Sequence, residues 1–308
     1  MKKLLLALLI AFSVLTLASC DLGGMGDIGN LGGILGNGNN NGNNSSCVDD
    51  NVQGLDFYLK DDGTYAVAVG NAKYLSNISI PATYNGRSVT EIAYNGFSGA
   101  INLVSISIPD SVTTIGKSAF SDCSSLTSVV IPDSVTSIGN SAFYSCDRLT
   151  SVVIPDSVTS IGDDAFAHCT GLTSIVIPDS VTEIGSSAFY YCTSLKSVVI
   201  PDSVIKIGDY AFYNCISLKS VVIGDSVILI SSSAFYNCSS LTSVVISDSV
   251  TLIGNWAFYN CTSLTSIKYR GTQAQWKAIT KGTDWNQCYK NGYDYTINYT
   301  ITYNYDGE

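Results

Sequence analysis

Residues Leu126-Thr127-Ser128-Val129-Val130-Ile131-Pro132-Asp133-Ser134-Val135-Thr136-Ser137-Ile138-Gly139-Asn140-Ser141-Ala142-Phe143-Tyr144-Ser145-Cys146 decide the fold, because the same stretch returns along most of the chain. Phe143 has counterparts at Phe97, Phe120, Phe166, Phe189, Phe212, Phe235 and Phe258, each 23 residues from the next. Three residues after the phenylalanine stand Cys123, Cys146, Cys169, Cys192, Cys215, Cys238 and Cys261, with Ala100 breaking the file at its start. A fixed period of this length marks a solenoid in which each unit buries its face only against its neighbours.

Within the unit, Leu126, Val129 and Ile131 alternate with Ser128 and Val130, which predicts a short strand with one face inward. Pro132-Asp133-Ser134 turns the chain, Val135 and Ile138 point in again, and Gly139 permits the next bend. Ala142, Phe143 and Cys146 lie at helical spacing and suit a brief helical or 3-10 turn. The expected fold is therefore a repeat solenoid with a parallel sheet on one face, short helical or 3-10 turns on the other, and ladders of Phe and Cys inside.

Nine units open at Leu75, Leu103, Leu126, Leu149, Leu172, Leu195, Leu218, Leu241 and Leu264, the first lengthened by an insertion at Asn85-Gly86. The unit resembles that of the BspA-like leucine-rich repeat proteins, a family of bacterial surface proteins, over Leu75 to Tyr269. The segment Ile267 to Thr272 followed by Trp276 and Trp285 is similar to one that often ends such arrays. Departures are mild: Gly224 and Ser247 replace the unit's proline and Ser231 its glycine, so those coils are expected to be looser. The resemblance implies a leucine-rich repeat fold and adhesion to extracellular-matrix proteins or other bacteria.

Both ends of a solenoid need caps. Asp61-Asp62-Gly63 between Leu55–Leu59 and Thr64–Val69 predicts a hairpin over residues 47–74, and residues 75–269 form the repeats. Over residues 270–308, Thr272 and Gln275 predict a capping box before Trp276 and Ile279, and alternating Tyr293, Tyr295, Ile297 and Tyr299 predict closing strands.

Ahead of this body, residues 1–20 carry Lys2 and Lys3, an apolar run and Leu17-Ala18-Ser19-Cys20, the form of an export signal too short to span a membrane. A cysteine directly after the small-residue cleavage site looks like a bacterial lipobox, which implies a lipoprotein cut before Cys20 and lipidated there. Residues 21–46, rich in Gly and Asn, read as a flexible tether with a mean reach of roughly 25–30 Å. The predicted location is the cell surface or a periplasm-facing membrane, with the inner and outer membrane both open.

Composition narrows the chemistry. Of 308 residues 13% are charged, with 25 acidic against 15 basic, a net charge of −10 and a single histidine, His168. Without clustered Lys and Arg, nucleic acid is not expected as a partner. The sequence has no P-loop, dinucleotide fingerprint, Ser-His-Asp set or paired Cys-x-x-Cys, so no catalytic residue, cofactor or metal site is expected.

The cysteine file could hold disulfides, a metal ladder or packed thiols; its odd number and the β spacing favour packed thiols. Cys47 and Cys288 fall in opposite caps and gain no local explanation. The file Asp110, Asp133, Asp156, Asp179, Asp202, Asp225 and Asp248 follows the turn position, and turn chemistry is favoured over calcium binding or catalysis because the copies share one environment. His168 occupies a variable position read as exposed.

Two features favour binding. Val130, Val153, Val176, Val199, Val222 and Val245 should form an apolar ridge on the open sheet face. Tyr144, Tyr190, Tyr213, Tyr236 and Tyr259 should form an exposed flank stripe. The reading is a non-enzymatic, adhesin-like surface protein that binds an extracellular protein or other cell-surface macromolecule, with a carbohydrate-capturing module or a structural coat component as alternatives.

Overall fold

The computed structural model describes residues 54–290 and 293–306. Cys20, Cys47 and the residues expected to form the export signal and the tether lie outside the described residues. The described part is a β-solenoid in which the strands of successive units pair in parallel, with one break between Ser174–Val176 and Ser197–Val199. Ser128↔Ser151↔Ser174, Val129↔Val152↔Ile175 and Val130↔Val153↔Val176 stand in exact register. A one-residue slip would turn Val129 and its copies outward, so their burial opposes it.

These three- and four-residue strands make two five-stranded sheets. One spans Asn77–Ser79 to Ser174–Val176, and the other starts at Ser197–Val199 and takes in Ser266–Tyr269 and Thr300–Thr302. The sequence reading placed one sheet on the coil; the structure has a second along another side. Two-residue strands such as Ser137–Ile138, Ser160–Ile161 and Glu183–Ile184 continue in parallel from Arg87–Ile92 to Thr280–Lys281. Two residues are too short a run for alternation to declare itself in sequence, yet Ile138 and Ile184 are buried in this strand.

The helical or 3-10 turn expected around Phe143 is instead a succession of hydrogen-bonded turns. Ala142 N–H donates to Gly139, Tyr144 to Ser141, and Cys146 to Phe143, while Phe143 N–H donates to Ala165 of the next coil. Left-handed residues interrupt any helix, two per unit: Ser141 and Ser145 have φ of 56° and 54°. The glycine file is explained by close approach of coils. A Cβ on Gly139 would lie 2.7 Å from the backbone nitrogen of Lys117, and one on Gly185 would lie 2.7 Å from that of Asp163.

The core is a file of phenylalanine rings, Phe97 to Phe258, fully buried and stacked with centroids 5.1–5.5 Å apart. Beside it run the thiols. The turn serine closes most coils against the one before: Ser157 Oγ donates to Val135 O and Ser180 Oγ to Val158 O, both at 2.6 Å. Leu75 is the exception among the opening leucines, 41% exposed where Leu103 is fully buried, because it precedes the first coil that could cover it.

At the front, the expected hairpin pairs Asp56–Leu59 with Tyr65–Ala68, and Thr64 N–H donates to Asp62 in its turn. The Asn85-Gly86 insertion is a second hairpin, Thr83–Tyr84 with Arg87–Ile92. At the back, Thr272 and Gln275 form the capping box of helix Gln273–Ala278. Trp285 stands edge-on to Phe258 at 6.2 Å and ends the ring file. Strand Thr300–Thr302 pairs with Ser266–Tyr269 as though it were a further repeat. Where Gly224 replaces proline, Asp225 is held by an ion pair with Arg270 and by its own N–H to Asp202, while Ser226 beside it is exposed and, among the described residues, lacks the turn-serine bond to the coil before.

Candidate functional site

The cysteines contribute no reactive centre. Cys146 Sγ donates to Phe120 O at 3.2 Å and Cys192 Sγ to Phe166 O at 3.2 Å, a contact that recurs up to Cys261. Burial pushes the Cys123 thiol up to about 12 and holds Cys146, Cys169 and Cys192 well above the ordinary thiol range. All are free thiols, as is Cys288. The aspartates of the Pro-Asp-Ser turn are exposed, and among the described residues no group of three or more His, Cys, Asp or Glu could hold a metal ion.

The valine file lies on the outer sheet face. Val130, Val153, Val176 and Val199 are 59%, 51%, 39% and 49% exposed, and Val222 and Val245 are half-buried. Their inward neighbours Val129, Val152, Val198 and Val221 are buried, so alternation alone sets the ridge. It ends where Val245 meets Lys268 in register.

The tyrosine stripe differs from expectation in two ways. Its members are half-buried, and from Tyr190 onward the rings stack on one another: Tyr190 on Tyr213 at 4.9 Å, Tyr213 on Tyr236 at 4.6 Å and Tyr236 on Tyr259 at 5.1 Å. Tyr259 donates to Asp294 at 2.6 Å, which pushes its phenol up. The stripe is also broken, because Ala167, fully buried, stands where a rung between Tyr144 and Tyr190 would be.

At that break the structure forms a shallow cavity of ≈ 390 Å³ lined by Tyr144, Asp164, His168, Ser187, Tyr190, Tyr210 and Tyr213. His168 is therefore part of a site that sequence reading missed. It lies 5.3 Å from Tyr144 and 5.5 Å from Tyr190, and flat on Tyr191 at 5.2 Å and 19°. Burial raises the Asp164 carboxyl, with Asp163 adding to the rise. The available signal was departure from the repeat: Asp164, Ala167, His168, Tyr191 and Tyr210 each replace the residue usual at their position.

The repeat unit, its register and its buried files match a known family model, the BspA type leucine rich repeat region, over residues 68–196 and 182–280. The chain belongs to the BspA-type leucine-rich repeat family. A leucine-rich repeat protein of T. pallidum has a similar structure, at 25% identity and a TM-score of 0.52, covering 74% of this chain and 92% of its own. A leucine rich cell surface protein of Faecalibacterium prausnitzii aligns at 26% identity and a TM-score of 0.36, over 74% of this chain and 96% of its own. No curated protein sequence matches this chain. The BspA-type repeat supplies the scaffold, an extended surface of binding type; the ridge and the cavity are built by this chain's own residues upon it.

Proposed function

We propose that this protein is an exported lipoprotein, anchored at Cys20, that works as an adhesin-like module and binds a protein of the host or of neighbouring cells through its sheet face. The observation that carries the reading is the ridge Val130, Val153, Val176 and Val199, apolar side chains each more than a third exposed, the first three in register in one sheet and Val199 opening the next. Scattered apolar residues are normal on any surface, whereas a contiguous ridge marks an interaction site. Lys268, in register with Val245, bounds one end of the ridge with a charged residue. Membership of a repeat family with an extended surface supports binding over catalysis.

Binding of the purified protein to immobilised extracellular-matrix proteins and to whole cells tests the reading. Saturable protein binding that falls at least tenfold in the double variant Val176→Lys, Val199→Lys supports it. Binding untouched by that variant removes the sheet face as the site. Anchoring is tested separately: Cys20→Ala should release the protein from the membrane fraction, and a variant that stays membrane-bound would overturn the lipid anchor.

A further inference from the structure

Copied residues carry no sign of their own use, so in an array of near-identical units the departures are informative. Three of them, Asp164, His168 and Tyr210, line one cavity, and two more adjoin His168: Ala167 before it in sequence and Tyr191 stacked on its ring. Four also sit in left-handed backbone, with φ of 54° for Asp164, 61° for His168, 58° for Tyr191 and 58° for Tyr210. Asp, Asn and His visit that region at little cost, but bulky residues do so rarely, and strained residues concentrate at functional sites. The corresponding residues elsewhere are mostly Ser or Asn, and Asn214, Asn237 and Asn260 form a hydrogen-bonded ladder. Trp256, beside the C-terminal segment, is the other bulky residue in this conformation.

The ring geometry limits what the cavity can take. Between rungs 4.6–5.1 Å apart nothing can insert, since two rings sandwiching a guest need about 7 Å, twice a van der Waals contact. Ligand access to an aromatic face is therefore confined to the break at Ala167 and to Tyr210. Tyr210 is 44% exposed, and among the described residues its one ring contact is with Tyr213, tilted at 58°. The rest of the lining offers hydroxyl groups of Tyr144, Tyr190, Tyr213 and Ser187, the Asp164 carboxylate and the His168 imidazole.

We propose that this cavity is a binding site for a neutral sugar, with Tyr210 as the platform for the ring's C–H face and Asp164, His168 and the tyrosine hydroxyls bonding its hydroxyl groups. One open aromatic platform with a surround of mixed donors and acceptors matches a pyranose. A cage for an organic cation would need several open ring faces, and the ladder keeps its faces covered. No Lys or Arg lines the cavity, so sialylated, uronic and sulfated sugars are disfavoured. The site lies on the flank and does not depend on the valine ridge.

The test is a glycan array followed by calorimetric titration of the full protein. The probes are neutral glycans ending in glucose, galactose, mannose, N-acetylglucosamine or fucose, with sialylated and sulfated glycans and choline as further arms. Two variants should fold: Ala167→Tyr restores the rung of the common repeat, and Tyr210→Asn suits left-handed backbone. The expected result is binding of a neutral glycan, weakened more than tenfold in both variants with unchanged circular dichroism, and unchanged in Val176→Lys. Binding of no neutral glycan, binding of choline or anionic glycans only, or binding that survives both variants overturns the proposal. Loss in Val176→Lys alone assigns the glycan to the sheet face and overturns it equally.

Discussion

Cys169 Sγ donates to the carbonyl oxygen of Phe143, one coil earlier, at 3.1 Å. The same bond joins Cys215 to Phe189 and Cys238 to Phe212. Each thiol thus fills space as a small hydrophobe and gives the preceding phenylalanine carbonyl a donor, so the cysteine file binds coil to coil without a disulfide.

A pH dependence follows. Burial raises the folded-state pKa of Cys123 to about 12 from an ordinary value of 9.0, and that of Cys146, Cys169 and Cys192 rises as well. An unfolded chain gives up these protons first, so the stabilisation is complete below about pH 9 and is lost as pH rises from there toward the folded values. Thermal melts should therefore hold steady up to about pH 8 and drop steeply from pH 9 to 11. Ellman's reagent should leave the repeat thiols untouched until the chain unfolds. Fast labelling of several thiols in the native protein would refute the packed file.

The left-handed aromatic residues give a second expectation. Tyr210 at φ 58° bears backbone strain of about 1–3 kcal/mol and keeps one ring contact, with Tyr213, worth roughly 0.5–1.5 kcal/mol. Tyr210→Asn should thus leave stability unchanged or raise it by about 1 kcal/mol, read as the urea midpoint. A loss of more than about 1 kcal/mol would show that Tyr210 is held there by packing, removing the reason to look for a function.

Much of this was legible in sequence because repetition multiplies weak signals. The alternation of Val129, Val130 and Ile131 is short, but its recurrence fixed the strand, its inward face and the ridge of Val130 and its copies. The Phe and Cys files, the Asp62-Gly63 hairpin and the Thr272 to Gln275 capping box were read from local chemistry. The second sheet was not, since Ser137 and Ile138 form a strand only because an identical pair lies beside them. The expected turn helix failed because the spacing of Ala142, Phe143 and Cys146 fits helix and successive turns alike, and left-handed Ser141 and Ser145 decided for turns. The cavity is hidden in sequence because the position of His168 varies from unit to unit and takes its meaning only from the gap that Ala167 leaves beside it.

Ser231 supplies the last expectation. It occupies the glycine position of its coil, where glycines elsewhere keep Cβ out of the adjacent backbone; a Cβ on Gly208 would lie 2.6 Å from the carbonyl carbon of Gly185. Ser231 is 4% exposed, and its hydroxyl is buried with no hydrogen-bond partner among the described residues. A buried unsatisfied polar group costs about 1–3 kcal/mol, while glycine forfeits about 0.5–1 kcal/mol of backbone entropy relative to a residue with a side chain. The first effect outweighs the second, and crowding adds to it. Ser231→Gly should therefore stabilise the solenoid by about 0.5–2 kcal/mol, seen as a higher urea midpoint at unchanged slope. A lower midpoint would mean that the coil has already rearranged around the side chain, and that the glycine file reflects turn geometry and not the contact between coils.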